Sequence, residues 1–187
     1  MNNQPILKTE RLRLRPFSLD DAPKVQKLAG DKEIARTTLL IPHPYKDGDA
    51  EIWINTHKPM LEKGKSITYA IVLKDTDELI GAIGLTLSKD YDHAEIGFWI
   101  GVPYWGRGFC TEAAMRVLKY GFEEHKLNRI FANHMTSNPA SGKVMENIGM
   151  SYEGCCRQHV KRWGEYHDIK LYGILKSDYR DKISETN

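Results

Sequence analysis

A glycine-rich stretch at residues 102–114 has the residue types of an anion site. It reads VPYWGRGFCTEAA, with Gly106 and Gly108 in a loop and a helical pattern directly behind it. Such a loop can turn several backbone N–H groups toward one point, and the N-terminus of the helix adds its positive dipole end. Glycines permit a phosphate to approach the backbone closely. The stretch is also consistent with a plain turn that joins a strand to a helix.

A carboxylate occurs in the apolar segment that leads into this loop. Glu95 belongs to HAEIGFW, where its neighbours Ile96, Phe98 and Trp99 are apolar. A carboxylate on such a strand could accept a proton as a general base. The alternative is a glutamate on the outward face, because a shift of one residue in register moves every side chain to the other face of a strand.

Composition narrows the class of protein. The 187 residues are 41% hydrophobic and 28% charged with a net charge of +2, which favours one globular domain and gives no case for binding nucleic acid or membranes. Cys110, Cys155 and Cys156 have neither metal-ligand spacing nor a disulfide framework, as is typical of a reducing cytosol. Without a signal-peptide pattern or an apolar run of about 20 residues, a cytoplasmic location is expected.

The elements that must position these residues alternate between strand and helix patterns. Together they predict an α/β (α+β) fold over residues 1–187, with a mixed, mostly antiparallel sheet of about seven strands flanked by helices. Residues 177–187 are polar and are expected to form a loose tail. The predicted strands are 11–17, 68–73, 78–87, 94–102, 129–136, 150–159 and 166–175, and the predicted helices are 22–28, 49–63, 111–124 and one that begins at Asn138-Pro139 and ends at Gly149.

The glycine loop resembles the pyrophosphate motif Q/R-x-x-G-x-G/A of the GNAT superfamily of acetyl-CoA-dependent N-acetyltransferases, with Gly108 as its central glycine. Trp105 and Cys110 depart from that motif at its first and last positions. The segment from Trp105 to Ala113 nevertheless resembles the W-G-x-G-x-x-T-E-A signature of the branch that contains the RimJ/RimL-like ribosomal-protein N-terminal acetyltransferases. Residues 9–15, 42–54 and 138–150 are similar to other segments of that branch, so the resemblance covers nearly the whole chain.

The resemblance implies direct attack of a primary amine on the thioester of acetyl-CoA, with no metal. The backbone N–H of Ile100 or Val102 would polarise the acetyl carbonyl, exposed by a bulge near residues 97–101. The pyrophosphate would be bound at the glycine loop, and Asn138 would bind the pantetheine amides, cap its helix, or do both at once. The implied cosubstrate-binding residues are Ile100, Val102, Trp105, Arg107, Gly108, Cys110, Thr111, Asn138 and Ser141. For Arg107, a solvent-facing side chain is the alternative.

Two residues are implied as catalytic. Glu95 resembles the strand glutamate that serves several GNAT enzymes as a base, directly or through water. Ser141 matches a serine of the RimJ/RimL-like branch and would donate a hydrogen bond to the CoA sulfur. Met145 occupies the place where many GNAT enzymes have a tyrosine acid. Cys110 at a helix start could look nucleophilic, but this mechanism forms no covalent enzyme intermediate.

The expected acceptor is the α-amino group of a protein, as in the ribosomal-protein enzymes. The alternatives are a small-molecule amine such as an antibiotic, polyamine or amino acid, and a CoA-binding regulatory module without turnover. Acidic residues near the presumed acceptor side would favour a cation, and these are Asp47, Asp49, Glu51 and Glu62. A homodimer is plausible from the family.

Overall fold

One mixed sheet of eight strands, in the order β1-β2-β3-β4-β5-β6-β8-β7, organises the molecule. The computed structural model describes residues 4–179. The strands are β1 Leu7–Lys8, β2 Leu12–Arg15, β3 Ser66–Leu73, β4 Leu79–Ser88, β5 His93–Ile100, β6 Arg129–Met135, β7 Ser151–Arg162 and β8 Glu165–Leu175, and the helices are α1 Ala22–Ala29, α2 Lys32–Thr37, α3 Asp49–Glu62, α4 Phe109–Glu123 and α5 Pro139–Asn147. The pair β5–β6 is parallel, and the other neighbouring strands are antiparallel. The predicted mixed fold is confirmed.

Strand alternation divides the core into two layers. On one face, Ile83 and Leu85 of β4 belong to the buried cluster that includes Val117 and Leu118 of α4. On the other face, alternate residues of β3 pack with α1 and α3 in a second cluster, with Trp99 against it. Because β5 alternates in the same way, its residues 96 and 100 face α4, whereas Glu95 and Trp99 face α1 and α3.

The sheet opens between β5 and β6, the fifth and sixth strands in its order. Strands β5 and β6 pair only at His93–Arg129, Ala94–Ile130 and Glu95–Phe131, and beyond these pairs they separate. On the side of β5 that faces β4, the Gly101 N–H donates to the Ile80 carbonyl. Because the backbone groups of an antiparallel strand alternate in direction, those of Phe98 and Ile100 point the other way, into the gap between β5 and β6. Strand β5 therefore presents to this gap the N–H groups of Phe98 and Ile100, which no neighbouring strand pairs with.

The structure corrects the expectation of a bulge near residues 97–101. Strands β4 and β5 keep one continuous register from Ser88–His93 to Gly81–Ile100, and the separation comes instead from the early end of the β5–β6 ladder. The predicted end of this strand at Val102 is also corrected: β5 ends at Ile100, and Val102–Tyr104 form a 3₁₀ turn. Pro103 cannot donate to a ladder, which explains why the apolar run does not continue as strand.

Other differences concern short segments. Helix α2 and strand β1 were not predicted, because six and two residues carry too little periodicity. Residues 176–179, partly within the expected loose tail, are helical, and the ring centroid of Tyr179 lies 5.0 Å from that of Phe122. The rest of the expected tail, residues 180–187, lies outside the described residues.

Candidate functional site

A cavity of about 880 Å³ opens where β5 and β6 separate. Helices α1 and α3, the loop at residues 37–42, the faces of β3 to β6 and helix α5 contribute to its lining. Glu95 from β5 and Ser141 from α5 both line it, so the structure brings together the two residues expected to be catalytic. They reach the same space from elements on either side of the gap.

Glu95 is half-buried in the cavity wall and has a fixed orientation. Asn133 Nδ2 donates a hydrogen bond of 2.6 Å to Glu95 Oε1 across the separating strands. Thr86 lies directly opposite Glu95 in the β4–β5 register, and Ser66 lies opposite Thr86. These side chains form a polar row on the face toward α1 and α3. Sequence reasoning missed Asn133, although asparagine inside a central strand is unusual enough to have indicated a role.

Asn138 holds Ser141 at the start of α5. Its Oδ1 accepts from Ser141 N at 3.3 Å, and its Nδ2 donates to Ser141 Oγ at 2.9 Å and to the Thr37 carbonyl at 3.0 Å. The expected helix cap is therefore confirmed. Because Ser141 Oγ accepts from Asn138, the serine O–H remains to donate into the cavity that it lines.

His134 is buried and lies against α5 at Gly142. Its Nδ1 lies 2.8 Å from the Met135 carbonyl, which makes Nδ1 the protonated nitrogen, and its Nε2 has no hydrogen-bond partner within residues 4–179. A Cβ at Gly142 would stand 2.7 Å from Nε2, so glycine permits α5 to approach β6 this closely. Met145 also lines the cavity and is buried, with no proton to donate.

The glycine loop forms a second locus, outside the cavity lining. Gly106 and Gly108 have φ of +72° and +76°, a region that suits glycine. The first helical hydrogen bond of α4 runs from Glu112 N to the Gly108 carbonyl, which leaves the N–H groups of residues 109–111 unpaired at the helix N-terminus. A Cβ at Gly106 would meet no described atom within 4 Å, so the face of the loop is open. The geometry suits an anion.

Trp105 joins this loop to the edge of β5. Its indole Nε1 donates to the Ile100 carbonyl at 2.5 Å. The carbonyl of Ile100 is thereby occupied, while its N–H points to the gap. Ile100 thus connects the glycine loop to the gap between β5 and β6. Val102, the other expected donor, lies in the following turn.

Arg107 and Cys110 have contrasting surroundings. Arg107 is exposed, makes no ion pair with any residue in 4–179, and its guanidinium carbon lies 4.8 Å from the centroid of the Phe109 ring. It can therefore accept a phosphate. Burial raises the pKa of Cys110 to about 12, so its thiol stays protonated and is not a nucleophile. Thr111 follows on the first turn of α4.

The loop that walls the cavity is held by side chains from distant elements. Arg162 on β7 donates to the carbonyls of Leu39 at 2.8 Å and Ala35 at 2.9 Å, and also to that of Ile41. Asn138 adds its bond to the Thr37 carbonyl. Four alternate carbonyls of residues 35–41 are thus fixed. Sequence reasoning missed Arg162, because nothing local marks a partner more than 120 residues away.

The cavity is acidic. Among its described lining residues, Glu95 and Asp49 are the charged side chains, and none is lysine or arginine. Of the acidic residues expected near the acceptor, Glu51 and Glu62 are exposed and Asp47 accepts from Gln26. Burial and the charges of Asp49 and Glu51 raise the pKa of the lining Tyr45 to about 12, so this phenol stays neutral. Among residues 4–179, no helix has the length and apolarity to cross a membrane.

Comparisons with known proteins agree with this geometry. Residues 11–151 match the family model described as acetyltransferase (GNAT) domain. The chain is 32% identical over 175 residues to "Uncharacterized N-acetyltransferase p20" of Bacillus licheniformis, covering 92% of this chain and 97% of the relative. It is 36% identical over 102 residues to "Putative ribosomal N-acetyltransferase YdaF" of Bacillus subtilis, covering 54% and 56%. The crystal structure of a GNAT-family acetyltransferase from Bacillus anthracis superposes with a TM-score of 0.82 at 30% identity, covering 92% and 99%. The chain belongs to the GNAT family of acetyltransferases.

Proposed function

We propose that this protein transfers the acetyl group of acetyl-CoA directly to a primary amine, with Glu95 as the base and Ser141 as the hydrogen-bond donor to the departing sulfur. The single observation that carries this proposal is the presence of both side chains on one cavity at the point where β5 and β6 separate. A base and a leaving-group donor must face the same reacting carbonyl, and this arrangement permits that.

The glycine loop and the open edge of β5 fit the donor. The unpaired N–H groups of Cys110 and Thr111, with the backbone at Gly108 and the charge of Arg107, supply what a pyrophosphate needs. Between the loop and the cavity, the backbone groups of Phe98 and Ile100 can pair with the amides of an extended pantetheine arm, as a missing strand would. Of these groups, the Phe98 N–H would polarise the acetyl carbonyl, because Phe98 lines the cavity with Glu95 and Ser141 whereas Ile100 does not. The Asn138 amide is committed to Thr37 and Ser141, so its part is to position Ser141.

The chemistry follows from the groups present. Glu95 takes a proton from the ammonium form of the acceptor, directly or through water, and the amine nitrogen then forms a bond to the thioester carbon. The oxygen of that carbonyl gains charge and receives the backbone N–H bond. The carbon–sulfur bond breaks, and the thiolate receives a hydrogen bond from the Ser141 hydroxyl. A hydroxyl is too weak an acid to give up its proton outright. The attacking nitrogen loses a second proton as it becomes an amide, and this proton neutralises the departing thiolate to give CoA thiol.

We propose the N-terminal α-amino group of a protein as the first acceptor to test. The name of the YdaF relative supports this choice, since it denotes a ribosomal N-acetyltransferase. A small-molecule amine is the second candidate, favoured by a cavity that is bounded by the loop at residues 37–42 as well as by the sheet.

The test is release of CoA thiol from acetyl-CoA in the presence of short N-terminal peptides and a panel of small amines, for the wild type and Glu95→Gln. We expect release with one acceptor class and a fall in kcat of at least about ten-fold in the variant, because a positioned base typically contributes about 10²–10⁴-fold. Release that is unaffected by the substitution would remove Glu95 from the mechanism. Binding of acetyl-CoA without release on any acceptor would favour a CoA-binding regulatory module.

A further inference from the structure

The cavity wall formed by the sheet combines one row of polar side chains with apolar side chains around it. Ser66, Thr86 and Glu95 are in direct register across three strands, and Asn133 extends the row by its bond to Glu95. Around this row the lining is dominated by large apolar side chains, among them Leu39, Leu40, Ile41, Ile52, Trp53 and Trp99. The amine of an acceptor at Glu95 would therefore contact polar side chains, whereas the rest of the acceptor would contact apolar ones.

The charges of the lining residues limit what can stand beside the amine. Glu95 can pair with one ammonium group. Asp49 accepts from Lys46 N at 2.8 Å and lies in the first turn of α3, where the helix dipole already favours a negative charge. Arg162 is not among the lining residues, and its terminal nitrogens are occupied by loop carbonyls. A carboxylate next to the acceptor amine would face Glu95 with no cation to pair with.

Exposed apolar side chains mark the entrance. Leu40 is 94% exposed and Ile52 is 68% exposed, and both line the cavity. Two large apolar residues left open at the mouth of an acidic cavity are suited to contact the body of an apolar ligand.

We infer that the acceptor is a primary amine with a single positive charge, no neighbouring carboxylate and an apolar substituent, which Leu40 and Ile52 contact. The inference rests on the proposed acetyl transfer and names its substrate class. Two sources share this chemistry, the apolar N-terminal residue of a peptide and a small apolar amine. Free amino acids are excluded by charge, because their carboxylate would lie within one bond of the α-carbon that carries the amine.

The first experiment compares kcat/KM for L-phenylalaninamide, L-phenylalanine, glycinamide and spermidine. Two further acceptors distinguish the two sources: a peptide that begins with phenylalanine represents a protein N-terminus, and 2-phenylethylamine represents a small apolar amine. We expect L-phenylalaninamide to exceed L-phenylalanine by at least about 30-fold, and glycinamide and spermidine by at least about five-fold. Equal rates for the amide and the free acid, or a preference for spermidine, would overturn the inference while leaving acetyl transfer intact. No turnover of any acceptor, with acetyl-CoA still bound, would overturn the proposed function and this inference with it.

Two pairs of variants test the residues. Ile52→Arg adds a cation at an exposed helical position, so it should raise the relative rate on L-phenylalanine several-fold, whereas the neutral Ile52→Gln should not. Leu40→Ser should reduce the preference for L-phenylalaninamide over glycinamide about three-fold or more. Leu19→Ser is its matched control, since Leu19 is 53% exposed and is not among the lining residues. An unchanged ratio in Leu40→Ser and Ile52→Arg would show that these residues do not contact the acceptor.

Discussion

Arg11, just before β2, forms a salt bridge with Glu112 in the first turn of α4, with Arg11 Nε 2.6 Å from Glu112 Oε2. The same guanidinium donates to the carbonyl of Arg107 at 3.0 Å, and Thr9 Oγ1 donates to Glu112 Oε1 at 2.6 Å. The turn between β1 and β2 is thereby attached to the glycine loop. Arg11 also neutralises a carboxylate that lies beside the N–H groups offered to a pyrophosphate.

Arg11→Gln should weaken the binding of acetyl-CoA. The loop carbonyl loses its donor and Glu112 loses its cation, so KM for acetyl-CoA should rise about ten-fold, the equivalent of one charge-assisted hydrogen bond. The value of kcat should stay within about two-fold, because neither residue touches the cavity. Steady-state kinetics with varied acetyl-CoA measure both. Arg13→Gln is the matched control, since Arg13 pairs with Asp77 and does not contact the loop. Equal effects of the two substitutions would contradict a specific role for Arg11.

Glu112 makes stability depend on pH. Burial alone would raise its pKa, but hydrogen bonds from Thr9 and Arg11 outweigh burial and hold the pKa below the ordinary 4.5. The stabilisation is therefore present above pH 4.5 and is lost as pH falls through the lowered value. Wild type should exceed Glu112→Gln in free energy of unfolding by about 1–2 kcal/mol at pH 7, and the difference should shrink as the pH falls below 4.5. Urea titrations at three pH values provide the measurement, and a constant difference would refute the linkage.

Arg162→Gln should loosen the wall of the acceptor site. Carbonyls of residues 35, 39 and 41 lose their donor, which should lower the free energy of unfolding by about 2 kcal/mol. KM for the acceptor should rise several-fold while KM for acetyl-CoA stays within about two-fold. Varying each substrate separately distinguishes the two. Arg157→Gln, at an exposed position on the same strand, should change neither constant. A rise confined to KM for acetyl-CoA would show that the contacts of Arg162 affect binding of acetyl-CoA and not of the acceptor.

Ser141→Ala should lower kcat by about ten-fold and change KM for acetyl-CoA by less than about three-fold, because a hydrogen bond to the sulfur gains strength as the thiolate forms. Ser137→Ala, at an exposed position just before α5, is the control and should resemble wild type. If kcat in Ser141→Ala equals that of wild type under saturating substrates, the serine has no part in the chemical step.

Cysteine alkylation should follow burial rather than helix position. Iodoacetamide at pH 8 should modify the exposed Cys155 first. The half-buried Cys110 should react more slowly, because burial raises its pKa to about 12. Mass spectrometry of digests identifies the modified residue, and Cys110→Ala should retain at least about half of wild-type kcat. Labelling of Cys110 as fast as that of Cys155 would contradict this order.

The fold and the loop could be predicted because their signals are local. The alternation in β3 to β6, the glycines at positions 106 and 108 and the Asn138-Pro139 helix start each lie within a few residues, and the structure confirms all three features. Strand β5 was predicted to end two residues too late, because an apolar run through Val102 looks the same as strand until the 3₁₀ turn at Pro103 is known.

The contacts that complete the site are not local and could not be predicted. Asn133 meets Glu95 only because β5 and β6 are parallel neighbours, and Arg162 meets the loop only because a hairpin returns to it. Nothing in the sequence of either strand indicates where the β5–β6 pairing ends. A single sequence shows which residues could act, whereas pairing across the sheet decides which of them meet.

The short β5–β6 ladder has a consequence for hydrogen exchange. Amides in a central strand normally exchange slowest, yet in β5 the N–H groups of Trp99 and Gly97 are bonded to β4 while those of Phe98 and Ile100 have no partner strand. The free protein should therefore show protected and unprotected amides in alternation along one strand at its centre. A bound donor that pairs with this edge would remove the alternation, so the exchange pattern of four consecutive residues reports occupancy of the site without any acceptor being present.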